Sequence, residues 1–213
     1  MTGGWKMARR QAKTGAYKAF QTNIERSRAF LRIFDKEPDG GRKQGQPTRD
    51  EKELLRGSLV FAVGALDAYL HDLILEIVPA YAPRSEKLTT ALRGIAKSDP
   101  SLSLRVALAP SDQDRQQHFR DALSEWLEDK SFQGPEKVSN ALSYVGCTLT
   151  WSDFDKVTRK STASELGRIT GERHAIVHRG ELPYVRRPPA GETVDLVAEI
   201  VKLIDREVCT LYL

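Results

Sequence analysis

Apolar residues recur at three- and four-residue steps along most of this chain, and strictly alternating stretches are short. Between Thr14 and Phe34 the positions Tyr17, Phe20, Ile24, Leu31 and Phe34 form one such stripe, the signature of an amphipathic helix. Arg26, Arg28 and Arg32 fall outside the stripe. Residues 1–13 read as a flexible start. Pro38, Gly40, Gly41, Gly45 and Pro47 make residues 36–47 a loop.

Thr48-Arg49-Asp50-Glu51 is a capping-box pattern. It opens the longest predicted helix, which ends near Pro79 and carries Leu54, Leu55, Leu59, Phe61, Ala62, Leu66, Tyr69, Leu70, Leu73, Ile74 and Ile77. So broad an apolar face belongs at the centre of a bundle. Arg56, Asp67, His71 and Asp72 interrupt it, which argues for a core helix over a membrane span. Asp67 lies in the densest apolar part. A carboxylate buried there needs a partner, either a cation or a helix terminus, unless it turns to solvent.

The signal from residue 80 to 110 is weak, with a short helix over Ser85–Ala96 and a break at Asp99-Pro100. Ser111 caps a further helix through Phe119, Leu123, Trp126 and Leu127. Pro135 suits the first position of a helix running to about Cys147, and Ser152 caps a short one with Phe154 and Val157. A capping box at Thr162-Ala163-Ser164-Glu165 opens a helix over 162–179. Pro183, Pro188, Pro189 and Gly191 predict a loop carrying Arg186 and Arg187, after which Thr193 opens a terminal helix. No hairpin turn links two β-rich runs; Asp39-Gly40 has none on either side. The fold class is all-α, a helical bundle with a long central helix and short connections.

Charge changes this picture at one end. The net charge of +4 is unevenly spread: residues 1–47 hold eleven Lys/Arg against four Asp/Glu, and the rest hold 22 against 25. The chain therefore divides into a basic N-terminal arm with one helix (1–47) and a nearly neutral helical domain (48–213). A basic arm suits a polyanion such as RNA, and it also occurs as plain solvated surface. Cys147 and Cys209 are isolated and fit no zinc spacing, so free buried thiols in a reducing cytoplasm are expected. The basic N-terminus lacks the apolar segment of a secretion signal.

The candidate chemistry is concentrated in Gly171-Glu172-Arg173-His174-Ala175-Ile176-Val177-His178-Arg179-Gly180. On a helix Arg173 and His178 lie about 140° apart around the axis and about 7.5 Å along it, flanking a surface where they grip a group between them or meet a symmetry mate. His174 and His178 share a face. That is the spacing of a two-histidine zinc site, but Ala175 stands where H-E-x-x-H needs its glutamate. A plainer reading is a helix end whose cations favour the C-terminal dipole, closed by Gly180.

Arg173-His174-Ala175-Ile176-Val177-His178 resembles the R-x4-6-H signature of HEPN domains, with His174 where asparagine is most common. Upstream, the run from Leu59 to Ile74, with Ala65, Leu66, Asp67, Ala68 and Tyr69, resembles the first long helix of the RiboL-PSP-like branch of that family. The likeness spans roughly residues 48–210 in order. It implies a metal-independent endoribonuclease of a bacterial toxin–antitoxin or phage-defence system. It also implies a homodimer with the motif helices facing across the two-fold axis, and no cofactor. The implied reaction is attack of a ribose 2′-OH on the neighbouring phosphodiester, leaving a 2′,3′-cyclic phosphate and a 5′-OH.

On that resemblance Arg173 and His178 are the catalytic pair. An imidazole exchanges protons near neutral pH, and a guanidinium holds phosphate oxygens bidentately. His174 and Asp67 are supporting residues, Asp67 orienting Arg173 or a histidine. Arg179, Arg186 and Arg187 add RNA affinity that is independent of sequence. RNA is the expected substrate, an antitoxin or sensor protein the expected regulator, and no membrane is involved. Three other readings compete: a non-catalytic HEPN-like module acting through a protein or nucleotide partner, a zinc site at His174 and His178 with a further ligand, and a DNA-binding regulator.

Overall fold

The computed structural model describes residues 12–36 and 47–213. Over these residues the chain forms nine helices and no strand, the all-α bundle expected. They are α1 (Gly15–Asp35), α2 (Arg49–Tyr81), α3 (Glu86–Ser98), α4 (Leu102–Leu108), α5 (Asp112–Glu128), α6 (Pro135–Tyr144), α7 (Trp151–Thr158), α8 (Thr162–Arg179) and α9 (Arg187–Tyr212). The flexible start lies mostly outside the described residues, as does the loop at 36–47.

The 33-residue α2 is the axis of the bundle, with α1, α5, α6, α8 and α9 packed around it. Its Leu55, Leu59, Ala62, Leu66, Leu70, Leu73 and Ile77 are fully enclosed. The helix starts with the expected capping box: Glu51 N–H donates to Thr48 Oγ1, and Thr48 N–H donates to the Glu51 carboxylate. It is also the one helix among the described residues long and apolar enough to cross a membrane, yet 56% of that stretch is buried inside the protein. Pro79 does not stop it; the proline occupies its last turn, and Ala82 closes it in the left-handed conformation.

The helix of the basic arm is built into this core. Phe20, Ile24, Leu31 and Phe34 of α1 are buried with the residues of α2 and α9. Ser27 Oγ donates to the Ser58 carbonyl at 2.5 Å, which marks how closely α1 and α2 approach. The start of α1 is gripped from two sides. Glu76 on α2 accepts from the backbone N–H groups of Gly15 and Ala16. Asp205 on α9 accepts from Thr14 Oγ1 at 2.5 Å and from Thr14 N–H at 3.3 Å. These carboxylates satisfy the free amides of a helix N-terminus and complement its dipole.

Several boundaries differ from the sequence expectation. α9 begins at Arg187, with Pro188 and Pro189 in its first turn, where a proline sacrifices no intrahelical hydrogen bond. The expected loop through Gly191 is therefore helix. α4 had no sequence signal; only Leu102 of its seven residues is buried. α6 stops at Tyr144. α7 is capped by Thr150, whose N–H and Oγ1 both donate to Asp153 Oδ2. The box at Thr162 does not form: the N-cap is Ser161, and buried Thr162 donates its N–H to Asp155.

Cys147 and Cys209 are free and buried, as expected. Burial pushes both thiols up to about 11, so they are poor nucleophiles at neutral pH.

The grip on α1 has a pH signature. Burial raises the Asp205 carboxyl above the ordinary carboxylate range, against the opposing pull of the Thr14 donors. An acid raised by folding holds its proton more tightly in the folded chain. Its contribution is fullest at low pH and is lost as pH rises through the raised value. Asp205→Asn keeps an oxygen for Thr14 and removes the ionisation. Its Tm is expected to match that of the unaltered protein near about pH 4 and to exceed it at about pH 7. Calorimetry across that range checks this, and a gap that shrinks with rising pH contradicts it.

Candidate active site

α8 carries the motif and is positioned by its other residues. Leu166 and Ile169 are fully buried against the core, and Ala175 is buried one and a half turns later. Arg168 ties Glu165 and Glu172 together on the outer face. The helix ends at Gly180, which takes a φ of 62°, a conformation that favours glycine. The backbone N–H groups of Gly180 and Glu181 then both donate back to the Ala175 carbonyl, the latter at 3.0 Å, closing the last turn.

Beyond the buried turns the motif side chains gather at the surface. Arg173 is half-buried, and His174 and His178 are exposed. Arg173 Nη1 donates to His178 Nε2 at 3.0 Å. The helical projection places these two residues on different flanks, but the long arginine stem runs along the helix and closes the gap. The His174 and His178 rings lie 4.8 Å apart, tilted by 40°. For Arg173 to donate to Nε2, the His178 ring must be neutral with its proton on Nδ1.

The arginine is chemically underused. Its Nε is buried without a hydrogen-bond partner, and no carboxylate pairs with it among the described residues. Glu172, adjacent in sequence, is engaged by Arg168. An orphan donor of this kind costs about 1–3 kcal/mol, so an acceptor that reorients the guanidinium is favoured.

Asp67, whose Oδ1 lies 3.8 Å from His71 Nδ1, makes its hydrogen bonds outside this cluster. Its Oδ1 accepts from Phe132 N–H at 2.5 Å, and its Oδ2 accepts from Gln133 Nε2 at 2.9 Å. It thus anchors the segment between α5 and α6 to the middle of α2. The link to α8 is indirect: Thr170 Oγ1, one turn before Arg173, shares its proton between the Leu166 carbonyl at 2.7 Å and the Gln133 carbonyl at 2.9 Å. Asp67 positions the motif helix through the chain Asp67–Gln133–Thr170.

The three outer arginines have different surroundings. Arg179 pairs with Glu181 at 3.0 Å. Arg186 lies over the Tyr184 ring at 5.6 Å, and Lys52 Nζ approaches the same ring at 5.7 Å. Arg187 is held bidentately by Asp35, which raises its guanidinium further and joins the ends of α1 and α9. Its charge is already matched by a carboxylate.

Residues that the sequence did not single out also shape the site. Arg56, 5% exposed, donates from Nε to the Pro183 carbonyl and from Nη2 to the Leu182 carbonyl, with Nη1 on Glu53. It pins the segment after the motif and holds Tyr184 outward, 58% exposed. A lone arginine inside the apolar run of α2 was the available signal. Among the described residues, no three His, Cys, Asp or Glu side chains are grouped to hold a metal ion.

No protein-family model, curated protein or solved structure matches the chain.

The role found for Asp67 gives a direct test. Asp67→Ala leaves the Phe132 N–H without its acceptor and is expected to lower stability by about 1–3 kcal/mol, while Asp67→Asn, which keeps an acceptor oxygen, loses less. Urea denaturation measures both. A fully stable alanine variant contradicts the anchoring role.

Proposed function

We propose that this protein is a metal-independent endoribonuclease of the HEPN type, acting as a homodimer in the cytoplasm as a toxin or phage-defence effector. The observation that carries this reading is the contact between the Arg173 guanidinium and His178 Nε2 at an accessible surface, with no acidic residue competing for the arginine among the described residues. A guanidinium and a neutral imidazole side by side supply the two functions that phosphodiester transesterification needs. One holds the phosphate oxygens as negative charge builds; the other receives a proton.

In this reading the scissile phosphate displaces His178 from Arg173. The phosphate oxygens accept from the guanidinium, and the freed His178 Nε2 takes the proton of the ribose 2′-OH. The 2′-oxygen bonds to phosphorus, the bond from phosphorus to the 5′-oxygen breaks, and the leaving oxygen takes a proton from a second imidazole. The second copy's His178 supplies it in the proposed dimer. His174, beside His178 in the same chain, orients the phosphate. Arg179 and Arg186 add affinity for the RNA backbone, and Arg187, matched by Asp35, contributes least. Regulation by an antitoxin or sensor protein belongs to the same reading.

Purified protein incubated with total RNA in EDTA is expected to give fragments ending in 2′,3′-cyclic phosphate and 5′-OH. Arg173→Ala and His178→Ala are each expected to lower the cleavage rate by about 10²–10⁴-fold. His174→Asn, which places there the residue common in HEPN motifs, is expected to stay within about tenfold of the unaltered rate, since His174 orients the phosphate and an amide can do the same. RNA left intact, or cleaved equally by all variants, rejects the nuclease reading. Binding without cleavage favours the non-catalytic module.

A further inference from the structure

A groove of about 310 Å³ opens between α1, α2 and α8, and Arg173 forms one of its walls. Its floor is a stretch of α2 made of small residues, Gly64, Ala65 and Ala68. Gly64 is exposed and has nothing within 4 Å of where a side chain would begin, and Ala68 follows one turn on. The opposite wall comes from α1, with Asn23 and Arg26. The Arg26 guanidinium lies over the Phe61 ring at 4.9 Å, and Arg26 is exposed.

The chemistry of this lining is unusual for a protein surface. Among the described residues it holds two arginines and no carboxylate, and neither arginine makes an ion pair there. Between them lie apolar atoms and one amide. An acidic ligand with a flat apolar face fits such a surface: the arginines take the charge, and the uncovered plane of Arg26, backed by Phe61, takes the flat face.

We propose that the groove holds the nucleotide next to the scissile phosphate. The phosphate sits between Arg26 and Arg173, and the base lies over Gly64 and Ala68 against the Arg26 plane. This rests on the nuclease reading for the meaning of "scissile", but the binding itself does not. It gives α1 a part in substrate recognition. It also favours single-stranded RNA, because a base inside a duplex cannot leave its stack to enter the groove.

The test uses the full-length protein carrying His178→Ala, so that binding is read without turnover. The probe is a fluorescein-labelled single-stranded RNA of mixed sequence, followed by anisotropy. Gly64→Met fills the groove, and because Gly64 has open space above it the fold tolerates the change; a Tm measurement confirms that. Both Gly64→Met and Arg26→Gln are expected to weaken binding by about fivefold or more, the loss of one stacked base. Gly64→Ala is expected to stay within about twofold, since it adds only one carbon. An abasic oligonucleotide of the same length is expected to bind Gly64→Met and its parent alike.

Three outcomes overturn the proposal. One is unchanged RNA affinity in a folded Gly64→Met protein. Another is an equal loss of affinity for the abasic probe. The third is dissociation of a dimer by Gly64→Met, seen by light scattering, which makes the groove a contact between copies. Cleavage at the unaltered rate by a Gly64→Met protein with intact His178 removes the groove and leaves the nuclease reading standing. Groove-dependent binding by a protein that never cleaves does the reverse.

Discussion

Burial of α2 is the constraint from which the rest of the structure follows. A helix whose apolar residues point in nearly every direction cannot rest on one neighbour, so α1, α5, α6, α8 and α9 surround it. Each enclosed side chain contributes about 1.5–3 kcal/mol relative to exposure, and the row from Leu55 to Val78 dominates that sum. The polar residues on α2 are placed by what they tie to it. Glu76 grips the start of α1, Asp67 holds the segment before α6, and Arg56 pins the chain after α8. Those links fix the elements that bring the candidate site together.

The site is a consequence of how α8 meets that helix. Leu166 and Ile169 are buried at its beginning and Ala175 near its end, which leaves His174 and His178 exposed and Arg173 half-buried between core and surface. Arg173 thereby stands at a junction, with Nη1 on the His178 imidazole and its side chain lining the groove over α2. One guanidinium links a proton carrier to a cationic groove. In the function proposed above, the ligand that spans the two is a phosphate ester between two nucleotides.

The helical architecture was legible because the apolar spacing is regular where packing is deep, as in α1, α2 and α9. Boundaries failed where local chemistry has two meanings. Pro188 and Pro189 break a helix interior but suit its first turn, and only the fold tells which applies. Thr162 has the sequence of a cap, yet burial and the Asp155 carboxylate claim it as the first helical residue. α4 was invisible because a seven-residue helix burying one side chain leaves almost no periodicity. At the site, Arg173, His174 and His178 were visible because they are close in sequence. The partners of Asp67, the pairing of Arg187 with Asp35 across 152 positions, and the groove that Arg26 and Arg173 both line come from tertiary packing. No local pattern encodes them.

The central claim is that Arg173 and His178 jointly engage a phosphodiester, and the imidazole nitrogen of His178 reports on it directly. A nitrogen-15 imidazole spectrum recorded while an RNA with 2′-O-methyl groups is added keeps the complex from turning over. The account predicts that the His178 Nε2 resonance moves in a saturable way as Arg173 transfers from the ring to the phosphate, and that Arg173→Ala abolishes the response. A His178 signal indifferent to saturating RNA, or one that responds equally without Arg173, contradicts it.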